Sequence, residues 1–170
     1  PGARVQEEDR PLTAAGRRRV RESARAWALR DDPAPEAWIV SPYVRAVQTC
    51  EICVSAFQSE AEVEVSRRLL PTGQVSYAVD LVEERGEESL AIVGHQPLLG
   101  GLAAFLLGWS TVPANLEPGA ILALDMLGPG EARLVWHAVP ARDERGPLVL
   151  QRGVPRVRGL PQGPARASFQ

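Results

Sequence analysis

The chain has 170 residues and a mass of 18.4 kDa. That is enough for one domain with a full hydrophobic core, and its apolar content of 45% is ordinary for a globular protein. A formal charge of −2 argues against a general nucleic-acid binder, and all 19 basic residues are arginine, a skew read here as codon bias rather than chemistry. No apolar run approaches the roughly 20 residues needed to cross a bilayer, and no charged-then-apolar leader is visible, so no membrane partner is expected.

Pro1 to Pro11 is polar and reads as loop, with the look of something cut from a preceding strand. Thr13 can cap a helix running to about Arg30, with Val20, Ala24, Trp27 and Ala28 on one apolar stripe and arginines on the other face. Asp31-Asp32-Pro33-Ala34-Pro35 stops it. A strand at Ala37–Val40 then leads into a helix from Pro42 to about Phe57, with Ala46, Cys50, Cys53, Val54 and Phe57 facing the core. Cys50 and Cys53 fall in mid-helix with neither histidine near in sequence, so they read as buried free thiols suited to a reducing cytosol rather than as a zinc or redox pair.

Glu62 to Ser66 alternates as a short half-buried strand would, and a loop from Arg67 to Gly73 precedes a helix carrying Val75, Val79 and Val82 on one face. Ser89 to Val93 is a continuous apolar run of the kind buried on both sides in a parallel sheet. Pro97 starts a helix through Leu107, with Leu98, Leu102, Phe105 and Leu106 inward and Gly108 ending it. Ala120–Met126 and Ala132–Val139 form a closing hairpin around Gly128-Pro129-Gly130. From Ala141 the periodicity fades into a tail rich in Arg, Pro and Gly that reads as disordered, giving a domain at 1–140 and a tail at 141–170. The repeated strand, loop, helix order predicts an α/β fold: a three-layer sandwich with a mostly parallel central sheet and ligands at the carboxyl ends of its strands.

Two residues stand where a strand gives way to a helix. Ser41-Pro42-Tyr43-Val44-Arg45 opens one helix, with Ser41 as its cap and Pro42 at its first position. Arg45 then sits in the first turn, where free N–H groups and the positive dipole end favour an anion and a guanidinium fork matches phosphate oxygens. His95 follows Gly94 at the end of the strand ending at Val93, and as an imidazolium it could donate hydrogen bonds to the same phosphate. All parallel strands point their carboxyl ends to one edge, so the two side chains should converge there. Tyr43 borders them and could either touch a substrate ring or pack on the preceding turn. Gln96 joins Arg45, His95 and Tyr43 as a substrate-binding candidate. His137, between Trp136 and Ala138, is assigned to an edge strand far from the rim with a structural role.

Pro11-Leu12-Thr13-Ala14-Ala15-Gly16, the segment around Arg45, and Val93-Gly94-His95-Gln96-Pro97-Leu98-Leu99-Gly100 together resemble the histidine phosphatase superfamily, most closely its small bacterial SixA-type phosphohistidine phosphatases. The resemblance runs from about Arg10 to about Pro140. It implies a phosphoglycerate mutase-like fold and a hydrolase acting in signal transduction through a phosphohistidine enzyme intermediate. Arg45 and His95 would be the catalytic residues that bind the equatorial oxygens, with no metal and no cofactor. The family's nucleophilic histidine lies in an Arg-His-Gly triplet ending the first strand, upstream of the Pro-Leu-Thr segment, and this sequence does not contain it.

The first strand of that fold lies in mid-sheet. Without it the 170-residue chain is expected to be an inactive, poorly folded fragment, or the product of a misassigned start. Larger members place a glutamate after the third strand to protonate an alkoxide leaving group. Here Arg68-Leu69-Leu70-Pro71-Thr72-Gly73-Gln74 has no carboxylate, which tilts the substrate toward phosphohistidine on a protein. Glu83, Glu84, Glu87 and Glu88 read as a solvated helix end. The expectation is a cytoplasmic monomer acting on a phosphorylated protein. The alternatives are a non-catalytic relative that binds phosphate or phosphoprotein, with Leu148-Val149-Leu150 too short to replace the first strand, and a phosphatase for a small metabolite.

Overall fold

A computed structural model describes residues 6–109, 116–140 and 149–152, the last without side chains. Strand β1 (Ala37–Val40) lies in the middle of a parallel sheet, with β2 (Glu62–Val65) on one side and β3 (Leu90–Val93) on the other. All four β1 residues are buried, because both faces of this strand are covered. Trp38 and Val40 point toward α1 (Ala14–Ala28) and α2 (Val44–Phe57), packing with Val20, Ala24, Ala46, Cys50 and Cys53. Ile39 points the other way, toward α3 (Val75–Glu83) and α4 (Leu98–Leu106), with Leu69, Ala78, Val79, Leu98 and Leu102. The period-2 alternation of one short strand thus divides the molecule into three layers.

Strands β4 (Ile121–Gly128) and β5 (Glu131–Val139) form an antiparallel hairpin, turned by Gly130 at φ +66°. Strand β6 (Val149–Arg152) pairs antiparallel with β5 in a second three-stranded sheet. The composition of the tail had pointed to irregular chain there. The backbone groups on the outer side of β5 give even a short apolar run a ladder to join, while the rest of 141–170 lies outside the described residues. Trp136 of β5 ties this sheet to the α1 side: its Nε1 donates to Asp32 Oδ2 at 2.8 Å, and its ring meets that of Trp27.

Several sequence expectations are corrected. With β6 present, β5 is the central strand of its sheet, so His137 is not on an edge. β2 is largely exposed rather than half-buried. In β3 only Ala91 is fully buried. Among the described residues, the side of β3 away from β1 has no partner strand, nor does the side of β4 away from β5. Phe105 is 53% exposed instead of facing the core, and lies against the hairpin turn near Gly130.

Candidate active site

The site is built from strand ends. β1 and β3 are parallel and in register, Val40 beside Val93, so the residues that follow each strand leave the sheet at the same edge. The ladder continues one step, with Ser41 N donating to Val93 O at 2.9 Å. Ser41 is fully buried, and its Oγ is hydrogen-bonded to His95 Nε2 at 2.8 Å. The hydroxyl that the sequence assigned to capping α2 is therefore used elsewhere. α2 begins at Val44, with Tyr43 as an N-cap that makes no side-chain cap bond.

Arg45 is in the first turn of α2. Its Nη1 donates to the Glu7 carbonyl oxygen at 2.8 Å and lies 3.1 Å from Glu7 Oε1. The guanidinium carbon sits 4.9 Å from the centre of the Tyr43 ring, and that ring lies 5.0 Å from the His95 ring, tilted by 58°. Tyr43 thus bridges Arg45 and His95 as a packed spacer. The segment before α1 is fastened over this group: Val44 N donates to Glu8 O, and Leu12 N to Gln48 Oε1, both at 2.9 Å. Thr13 caps α1, its hydroxyl accepting from Gly16 N at 3.0 Å.

A cleft of about 360 Å³ opens at this edge, lined by Leu12, Gly16, Arg45, His95, Gln96 and Glu117 among others. Of the four candidates, Arg45, His95 and Gln96 meet in it, while Tyr43 supports two of them from beside it. Glu7, Ser41 and Glu117 were not singled out as site residues from the sequence. Glu7 and Glu117 lie in segments with no periodic signal, and they reach the site only through long-range packing. Ser41 was placed correctly in the chain but read as a cap.

The half-buried His95 ring is held near pKa 4, first by loss of hydration and then by the Arg45 charge, with Glu7 opposing. With these neighbours alone the neutral ring is favoured. An arriving phosphoryl dianion would act in Glu7's direction and favour the proton. None of the four helix-end glutamates lines the cleft: Glu84 pairs with Arg68 at 2.7 Å and Glu87 with Arg85 at 2.7 Å, and the carboxylates near Arg45 and His95 are those of Glu7 and Glu117. Cys50 and Cys53 are buried and unbridged, with burial pushing their thiols up to about 11 and about 12. His137 is 8% exposed, and neither ring nitrogen has a hydrogen-bond partner among the described residues.

A guanidinium in a first helical turn and a histidine at the neighbouring strand end, meeting at the carboxyl edge of a parallel sheet, define an α/β domain able to hold a tetrahedral oxyanion. No protein-family model matches the chain. It is 30% identical over 134 residues to the phosphohistidine phosphatase SixA of Escherichia coli, covering 77% of this chain and 82% of that protein. It is 34% identical over 107 residues to a phosphohistidine phosphatase SixA homolog of Haemophilus influenzae, covering 60% of this chain and 65% of the relative, a little under two thirds of its length. The structure of the protein histidine phosphatase SixA complexed with tungstate superposes with a TM-score of 0.68 at 28% identity, covering 81% of this chain and 88% of the other. The chain belongs to the SixA-type phosphohistidine phosphatases of the histidine phosphatase superfamily.

Proposed function

We propose that the protein hydrolyses phosphohistidine on a protein substrate, with Arg45 and His95 holding the phosphoryl oxygens. The observation that carries this reading is the meeting of those two side chains in one cleft at the strand ends. The tungstate bound to the related SixA structure supports it, since tungstate is a tetrahedral oxyanion of phosphate-like shape.

The nucleophile is expected on a histidine upstream of Pro1, in a strand that would pair with the open side of β3. Its ring nitrogen attacks phosphorus, and the bond from phosphorus to the substrate imidazole breaks. The departing ring leaves neutral because its other nitrogen already carries a proton. Water then adds to the enzyme-bound phosphorus, the second P–N bond breaks, and orthophosphate leaves with the water's oxygen. Arg45 stabilises charge on the equatorial oxygens throughout. His95 adds a donor once the dianion has raised its affinity for a proton. An imidazole leaving group does not require the alkoxide-protonating acid that the 68–74 segment lacks.

The test is orthophosphate release by the full-length gene product from a phosphohistidine peptide, beside a panel of sugar and alkyl phosphates. Turnover of the peptide, lost in Arg45→Ala and His95→Ala, is the expected result. Turnover of the alkyl esters with the peptide left intact would assign the protein to small metabolites, and binding of the peptide without release would make it a phosphoprotein-binding relative.

A further inference from the structure

Helix α1 carries more positive charge than its packing uses. Val20, Ser23 and Ala24 are its buried residues, and one flank beside them runs past α2 at the surface. Arg17, Arg21 and Arg25 recur at i, i+4 and i+8, a stripe about 12 Å long at the helical rise. Arg21 and Arg25 are exposed. Six arginines elsewhere, Arg10, Arg30, Arg45, Arg68, Arg85 and Arg133, each lie against a carboxylate. No such pair forms at Arg17, Arg21 or Arg25 among the described residues. Like charges spaced i, i+4 on a helix repel, so the stripe works against α1 rather than for it.

The surroundings of the stripe give it a shape as well as a charge. Arg21 and Arg25 form one wall of a shallow cleft of about 360 Å³, whose other wall is α2 with Ile52, Ser55 and Ala56 beside Glu51. Ile52 and Ala56 give it partly apolar walls, suited to a side chain more than to a free ion. The first turns of the same helix, at Gly16 and Val20, line the cleft that holds Arg45 and His95. One helix therefore borders both clefts, so a macromolecule presenting a phosphoryl group to the second can lie along the first.

We propose that the Arg17–Arg21–Arg25 stripe, with the cleft between α1 and α2, is the docking surface for an acidic face of the protein that carries the phosphohistidine. This rests on the proposed activity and names the surface character of its substrate. The phosphoryl group supplies the contact that every substrate shares, and the stripe selects among carriers by charge. Exposed charges act mainly on encounter rate and partner choice, and they fade with salt.

The test compares two phosphohistidine peptides of equal length, one with a glutamate-rich flank and one with glutamines in those places, together with free phosphoramidate. Full-length gene product is assayed beside its Arg21→Glu/Arg25→Glu and Arg21→Gln/Arg25→Gln variants, both altered only at exposed positions. Wild type should prefer the acidic peptide by roughly tenfold in kcat/KM, and raising sodium chloride from about 50 to about 300 mM should erase most of that preference. The glutamate variant should lose the preference through KM while turning over phosphoramidate at the wild-type rate, and the glutamine variant should fall between. Equal use of both peptides by wild type, or a preference that survives in the glutamate variant, overturns the proposal. So does a single-stranded oligonucleotide binding the stripe more tightly than the unphosphorylated acidic peptide. Failure of wild type to hydrolyse any phosphoramidate bond sinks the activity instead. In that event the anisotropy of the labelled, unphosphorylated acidic peptide, with and without the arginine substitutions, still decides the docking surface.

Discussion

His95 Nε2 and Ser41 Oγ, 54 residues apart in sequence, are joined at 2.8 Å because β1 and β3 end at the same level. The bond fixes the plane of the imidazole from a fully buried hydroxyl, so the ring enters the cleft already oriented. Replacing Ser41 by Ala removes that partner without filling the cleft. Stability should fall by about 1–3 kcal/mol through the unpaired ring nitrogen. Peptide turnover should fall roughly tenfold or more through loss of orientation. Urea denaturation and kcat of the full-length gene product check the two halves separately, and an unchanged kcat would show that the ring needs no such anchor.

Glu7 presents its carboxylate to the guanidinium that is proposed to receive phosphate. Both the carboxylate and the carbonyl of Glu7 reach Arg45 Nη1, so Glu7→Gln would retain the backbone contact while deleting the competing negative charge. Orthophosphate should then inhibit peptide hydrolysis a few-fold more tightly, the modest size reflecting an exposed pair. Weaker inhibition would instead mark Glu7 as the group that holds Arg45 in place.

Both histidines should make the fold sensitive to acid. Burial lowers the pKa of His137, and burial with the Arg45 charge lowers that of His95 to about 4. The unfolded chain therefore binds more protons than the folded one below the ordinary histidine value of about 6.5. The stabilisation from keeping these rings neutral is complete above that pH and is lost as the pH falls from about 6.5 toward 4. Denaturation midpoints measured from pH 8 to pH 4.5 should decline over that range, and less steeply in His137→Phe. A flat profile would contradict the buried neutral ring.

Cys50 and Cys53 should be inert in the native protein. Burial raises both thiols far above neutral pH, leaving almost no thiolate. Labelling by iodoacetamide at pH 7.5 should proceed only at the rate of unfolding, and fast labelling of either cysteine in folded protein would refute the buried arrangement.

Local signals made much of the fold legible. The apolar run at Ala37–Val40 is a strand with those bounds, and Thr13 caps α1 with its own hydroxyl. The Gly128-Pro129-Gly130 turn joins β4 and β5. What stayed hidden depends on partners distant in sequence. Ser41 looks like a cap until β3 brings a histidine to it, and Phe105 fits the apolar stripe of α4 although the hairpin turn draws it to the surface. His137 looked peripheral because the strand that makes β5 central lies in a stretch whose composition suggests no structure. Arg45 and His95 could be named from the sequence because each follows a strand, but Glu117 reaches the cleft, and Glu7 reaches Arg45, from loops that carry no such mark.

The cleft has walls at Leu12, Arg45, His95 and Gly119, four stretches spread across more than a hundred residues. No pair of neighbouring elements encloses it, so a partly folded chain has nowhere to hold an oxyanion. On the proposed reading, saturation of a phosphate titration would measure the correctly assembled fraction of a preparation. A lesion anywhere between those walls would appear first as fewer competent molecules and only later as a change in the affinity of those that remain.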